Sequence, residues 1–358
     1  ALTYNGDIFK TGRVRVSLTP NPFTRGKPFR QTLDLPTGSI LIEADDVSLR
    51  IWADATRPVY HVQVDSPEEI TVQATSDLWE RIDGCPHNKT KEPIDPPTQD
   101  VRLERNGGIL WYFAVGDRSV YPTELAFYDV EHMASEYPDP YRFNTFGNLI
   151  ESPDLQLRDG ALRGTGKTFD LRIHALCAQE PEIEKWIERL EGQAGRPMDV
   201  AADWQAHCSW WSAFWNRSWI TVADSSLPTE QQGQLSHAGY ARQREVIDGG
   251  ALVAQSYNVF RYIMACQSRG RIQAKFNGGL FTLPLRYGGK PKNRVVREEN
   301  GVWMGHEDDR AWARRFTFQN QRLLYWPLLM SGDGDLMKPF FDYYWNLLPV
   351  RGAITKAW

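Results

Sequence analysis

The run Phe318-Gln319-Asn320-Gln321-Arg322-Leu323-Leu324-Tyr325-Trp326-Pro327 sets polar side chains inside an apolar stretch. An amide or guanidinium withdrawn from water must find a protein partner or a ligand, because leaving it unpaired costs free energy. Asn320 and Arg322 are therefore candidate ligand contacts, with Gln319 and Trp326 beside them. A buried structural network is the competing reading of the same residues. Lys275 and Asn277 stand just before Gly278-Gly279, where backbone without side chains can approach a ligand or a neighbouring helix closely. Trp303 and His306 lie on a glycine-flanked stretch of the kind that builds binding subsites. Asp309 closes the trio Glu307-Asp308-Asp309. It is a candidate contact, set against the ordinary role of such residues as helix caps.

Amides, tryptophans and carboxylates in this mixture suit sugar chemistry. An indole face stacks on the apolar face of a sugar ring and its N–H meets a hydroxyl. Glycoside hydrolysis with inversion needs an acid and a base about 6.5–9.5 Å apart. The carboxylates available in the second half are Glu298, Glu299, Glu307, Asp308, Asp309, Asp333 and Asp335, and no spacing marks two of them as a pair. Asp333 and Asp335 flank Gly334 ahead of a helical pattern and are expected to cap it. There is no GxGxxG, Walker loop or HExxH. Gly164-Thr165-Gly166-Lys167-Thr168 lacks the upstream glycine of a phosphate loop and reads as a hairpin turn.

The elements that must position these groups change period along the chain. Gly12–Leu18, Phe29–Leu35, Ser39–Ala44, Val47–Ala53 and Val59–Val64 alternate with period two and are separated by turn signals. Further strands are expected at Val101–Arg105, Ile109–Val115, Thr123–Tyr128, Leu155–Leu157, Leu162–Gly164 and Thr168–Leu176. Ser76–Gln99 reads as a long loop. Short strands at this spacing predict an antiparallel sandwich. From Glu180 the period becomes 3.6. Helices are expected at Glu180–Glu191, Asp199–Trp215, Leu235–Ser268 (one long helix or two), Asp308–Met330 and Asp335–Leu348, with a short strand at Ser218–Ala223.

Composition sets outer bounds. The 358 residues carry a net charge of -4, which gives no electrostatic reason to propose nucleic acid as a partner. No run approaches the roughly 18 apolar residues of a membrane span. The four cysteines, Cys85, Cys177, Cys208 and Cys266, form no zinc pattern, and Cys208 and Cys266 are expected as buried thiols. No metal and no cofactor is expected. Of fourteen tryptophans, eight cluster at 204–219 and 303–326, and most of the fourteen are expected in packing.

Three segments carry a resemblance. Gln255–Tyr262 leading to Arg269-Gly270-Arg271, then Ala274–Phe281, then Phe318–Pro327 resemble glycoside hydrolases of the family 95 and family 65 clan. Trp210–Trp219 (WWSAFWNRSW) is similar to the passage from linker to barrel in those enzymes. GRVRVSLTPNPF, FRQTLDL and Trp52-Ala53-Asp54 look closer still to an uncharacterised bacterial group, the domain of unknown function 5703. The resemblance implies a β-supersandwich over residues 1–178 and a helical linker over 179–228. The first part of an (α/α)6 barrel then fills 229–358. It implies an exo-acting, inverting glycosidase on an α-linked sugar, similar to α-L-fucosidases and α-L-galactosidases, with a carbohydrate as partner and a secreted or periplasmic location. Asn320 matches the second of two water-orienting asparagines in the fucosidase relatives. Phe318 stands where the first would be and cannot polarise water, so the expected reaction departs from a standard fucosidase. The family's general acid would lie beyond residue 358. A family 65-type phosphorylase and a non-catalytic carbohydrate-binding or assembly protein are the alternatives.

Overall fold

The computed structural model describes residues 12–77, 101–117, 119–233, 248–276, 286–287, 290, 296–299, 302–305 and 316–357. The first half is antiparallel β-structure. β1 (Arg13–Thr19), β2 (Phe29–Asp34), β3 (Ser39–Ala44) and β4 (Val47–Ala53) fall within a residue of the alternating segments. In β4, Val47 and Leu49 are buried while Ser48 and Arg50 are exposed, which is the pleat expressed as burial. β6 (Val101–Arg105), β7 (Gly108–Ala114), β8 (Asn144–Glu151) and β9 (Gln156–Arg158) follow. The β6–β7 and β9–β10 reversals use Asn106-Gly107 and Asp159-Gly160. All four of these residues have positive φ, as a two-residue hairpin with the right twist requires.

β5 (Val59–Asp77) and β10 (Ala161–Gln179) run 19 residues each and pair with one another. They organise a ten-stranded sheet in the order β2-β3-β4-β5-β10-β8-β7-β6, with β1 also on β5 and β9 on β10. The sandwich expected from strand spacing is thus one continuous sheet among the described residues. Its core joins Val47 and Leu49 of β4 to Leu18 of β1 and Ile109 and Trp111 of β7. The turn expected at Gly164–Thr168 is instead the interior of β10, bulged between Gly166 and Thr168. At Gly164 a side chain would meet the Asp154 carbonyl, so the glycine there serves close approach and not reversal.

Two further elements differ from the sequence reading. The Thr123–Tyr128 segment is part of helix α1 (Tyr121–Phe127), entered through a proline in its first turn. β8 is buried along nearly its whole length. Ile109 and Ile150 face the main core, whereas Leu110 and Leu149 face Trp186, Ile187 and Leu190 of α2 (Ile183–Ala194). A strand covered on both faces has no polar side to alternate with.

The helical half continues with α3 (Val200–Trp215), α4 (Gly249–Gln267), α5 (Phe318–Ser331) and α6 (Lys338–Ala357). Asp199 accepts the Ala201 and Ala202 amides, and Asp248 accepts those of Gly250 and Ala251, so both helices start on a carboxylate cap. A three-stranded sheet, β11 (Arg286–Tyr287), β13 (Val302–Gly305) and β12 (Val296–Glu299), was not anticipated. The Ser218–Ala223 segment is not a strand. Residues 235–247 and 308–315 of the expected helices, and all but the first two residues of the Ser76–Gln99 loop, lie outside the described residues. Trp211 and Phe214 of α3, Tyr262 and Met264 of α4, Tyr325 and Leu328 of α5, and Phe340 of α6 make one shared core. Among the described residues no helix is long and apolar enough to cross a membrane.

Candidate functional site

The site assembles around Gln321, which is fully buried in α5. Its Oε1 accepts the Phe276 amide at 2.8 Å. Its Nε2 donates to Gln273 Oε1 at 3.0 Å and to the Ala274 carbonyl at 2.5 Å. Tyr325, one helical turn on, accepts the Ala274 amide at 2.9 Å through its hydroxyl oxygen. The segment that follows α4 is therefore fastened to α5 by two side chains on one helical stripe. Lys275 sits in the middle of that fastened segment, 6% exposed, with its ammonium 4.0 Å from the Phe316 ring centroid.

Asn320 is half-buried in the first turn of α5, and Thr317 Oγ1 donates to its Oδ1 at 2.9 Å. With Oδ1 so held, the Nδ2 donors are the hydrogen-bonding capacity left on the side chain. Arg322 lies between two aromatic rings of its own helix, 6.0 Å from the centroid of Phe318 and 5.3 Å from that of Trp326. Its Nε is buried without a hydrogen-bond partner. Both rings are more than half exposed, and Gln319 is exposed beside them. The structure thus brings Asn320, Gln319, Arg322, Trp326 and Lys275 to α5 and the segment pinned against it. The most deeply buried polar side chain of this group is Gln321, which sequence reasoning passed over. Trp303 lies in the small sheet, half-buried, under the Lys290 ammonium at 5.1 Å, and the described contacts do not join it to α5. Asn277, His306 and Asp309 lie outside the described residues, as do Glu307 and Asp308.

The far end of α5 is held by a different device. Asp333, expected as a cap, makes no cap hydrogen bond and is fully buried. It receives a two-pronged contact from Arg261 of α4, Nε to Oδ2 at 2.8 Å and Nη2 to Oδ1 at 2.9 Å, and Ser331 Oγ donates to Oδ2 at 2.6 Å. Arg261, itself fully buried, also donates to the Phe214 and Ser218 carbonyls and lies 4.4 Å from the Phe214 ring centroid. Every prong of the guanidinium is thereby used, the condition on which a buried ion pair is tolerable. Asp335 pairs outward with Arg217.

The sheet and α3 meet through a polar cluster that includes Trp52 and Asp54 of the Trp52-Ala53-Asp54 segment and centres on His207, which no motif flagged. His207 is fully buried; its Nδ1 accepts the Ala55 amide at 3.2 Å and its Nε2 donates to the Thr37 carbonyl at 2.7 Å. Those two contacts require the neutral ring, and burial holds its pKa below the ordinary value. Asp54 is buried, which by itself would raise its pKa. Hydrogen bonds from Thr56 and Arg57 outweigh that and hold the carboxyl low. The Trp52 ring stacks on His61 at 4.1 Å, and Arg269 lies 4.0 Å from the Trp210 ring centroid. Cys208 and Cys266 are half-buried free thiols where enclosed ones were expected, and burial pushes Cys266 up to about 11. Among the described residues no group of three metal-ligating side chains is gathered.

A sequence family described as domain of unknown function (DUF5703), N-terminal part, matches residues 1–220. No curated protein matches the sequence. Among solved structures, one assigned as a kojibiose phosphorylase from the human microbiome overlaps 69% of this chain, with 9% identity and a TM-score of 0.34. The overlap covers 29% of that protein, so the chain spans less than a third of its length.

Proposed function

The chain belongs to the DUF5703 family, and from that premise we propose that it is part of a carbohydrate-active enzyme that removes an α-linked sugar from the end of an oligo- or polysaccharide with inversion. The family name assigns no activity, so the reading rests on the site. The observation that carries it is the fastening of residues 273–276 to α5 by Gln321. It sets an enclosed lysine beside the first turn of α5, which carries Asn320, while the exposed rings of Phe318 and Trp326 flank Arg322 on the side of the helix that also holds Gln319. Amide donors next to an aromatic platform are what a pyranose asks for.

In this reading Asn320 donates through Nδ2 to the attacking water or to a ring hydroxyl, and Trp326 offers an apolar face. An amide cannot take the proton from water. The base and the acid that protonates the leaving oxygen are therefore other groups, the acid placed beyond residue 358. We further propose that residues 1–178, 179–228 and 229–358 act as β-domain, helical linker and start of an (α/α)6 barrel. Action outside the cytoplasm, secreted or periplasmic, suits a polymeric substrate and is checked by cell fractionation. The natural full-length protein is to be assayed on aryl α- and β-glycosides and on polysaccharide fragments, with and without phosphate. Sugar release without phosphate is expected. Turnover only with phosphate would make the enzyme a phosphorylase. Saccharide binding without turnover would make it a binding protein.

A further inference from the structure

The end of α3 builds a groove apart from the α5 site. Leu35 and Pro36, just ahead of β3, face Trp215, Asn216, Trp219 and Asn258 across an open cavity of about 340 Å³. That volume lies at the small end of the about 300–1,000 Å³ range of small-ligand clefts. Trp215 is a fixed wall: its indole N–H donates to the Leu35 carbonyl at 2.6 Å and its ring stacks on Trp211. Trp219 is the opposite, 64% exposed on the segment that leaves the helix. Asn258 is under-used. Its Nδ2 reaches the Ile220 carbonyl only at 3.4 Å, beyond the usual range, and its Oδ1 is buried with no hydrogen-bond partner. A buried amide oxygen without a donor calls for one, and Asn258 lines the cavity. No lining residue is ionisable, so the groove offers nothing to a phosphate, a carboxylate or an ammonium.

We propose that this groove is an accessory binding site for one neutral pyranose unit of a poly- or oligosaccharide. The ring's apolar face lies on Trp219 and its hydroxyls donate to and accept from Asn258 and Asn216. The choice of a sugar over another neutral ring rests on the carbohydrate reading above. The ion pairs of Arg261 and Arg217 tie this end of α3 to residues 333–335, past the C-terminal end of α5. Asn320 is at the other end, one 14-residue helix away, or about 20 Å at 1.5 Å per residue. One saccharide chain held in the groove therefore stays near the α5 site without occupying it.

The test is affinity electrophoresis of the natural full-length protein through neutral polysaccharides, with Trp219→Ala and, as an exposed aromatic control, Phe127→Ala. Iodide quenching of tryptophan emission runs in parallel. Retention that Trp219→Ala weakens roughly tenfold or more, as the loss of a stacked indole would, supports the groove, and it does so whether or not any glycoside is turned over. Turnover of a small aryl glycoside should be the same in wild type and variant, and Phe127→Ala should change neither reading. The proposal is overturned if no neutral polysaccharide retards the protein or if Trp219→Ala is retarded like wild type. It is also overturned if Trp219→Ala removes no iodide-accessible emission, which would mean that the groove is covered. Glycoside turnover alongside any of those three results leaves the enzymatic reading standing.

Discussion

Asn320 and Gln321 are neighbours with opposite duties. Gln321 shares a buried stripe with Tyr325 and Leu328, at spacings of four and then three, and its amide fastens residues 273–276. Asn320 sits at the rim of the same turn. Gln321→Leu should cost about 1–3 kcal/mol in denaturant unfolding, because it strands the Phe276 amide and the Ala274 carbonyl. Asn320→Ala should shift the same midpoint by no more than about 0.5 kcal/mol while lowering kcat by about 100-fold or more, as loss of a positioned donor does. Equal stability losses would contradict this division. At the other end of α5, Asp333→Asn should destabilise by about 3–5 kcal/mol, since it leaves the buried Arg261 charge without a carboxylate, and Arg261→Met by less, since Arg217 still lies 3.5 Å from Asp333. The double variant should cost much less than their sum. The stripe 321, 325, 328 was legible as a helical period. What hid Gln321 was its polarity, which drew attention to the more exposed Asn320 and Arg322. The Arg261–Asp333 pair joins residues 72 positions apart, and no local pattern announces it.

At the scale of elements, α3 is docked on the sheet through backbone contacts to a neutral histidine. Facing His207 are Asp54, which favours its protonation, and His61 and Arg269, which oppose it, while burial dominates and lowers its pKa from the ordinary 6.5. The unfolded chain therefore binds the proton more readily than the folded one. The contribution is complete above about pH 6.5 and is lost as pH falls towards the lowered folded value. Urea midpoints taken from pH 7.5 down to 5.5 should fall, and His207→Gln should flatten that slope; an unchanged slope would refute the clasp. The turn that meets α3 is equally strict. Gly38 has φ +62°, and a Cβ there would stand 2.2 Å from the Trp211 ring. Gly38→Ala should lower stability by about 2 kcal/mol or more, from left-handed backbone strain and ring displacement together. The early strands and the start of α3 at Asp199 were readable because one face meets water and the helix begins on a carboxylate; the cap at Asp248 was not, because it stands inside the longer helical pattern Leu235–Ser268. β8 was not, because it is covered from both sides, and Asn144, Thr145 and Asn148 are buried within it.

For the whole molecule, the change of period near residue 180 located the passage from sheet to helices. What lies on the outer side of the last helices was not readable. Leu329 and Met330 of α5 and Phe341, Trp345 and Leu348 of α6 are more than half exposed. An apolar surface of that extent marks a contact face, and the proposed barrel would supply its neighbours. The central claim is enzymatic, and the most direct measurement is proton NMR of the first sugar released from an α-linked substrate by the natural full-length protein, beside Asn320→Ala. The expected result is early accumulation of the β-anomer without phosphate, slowed at least about 100-fold in the variant. Release of the α-anomer, or turnover by Asn320→Ala equal to wild type, would contradict it.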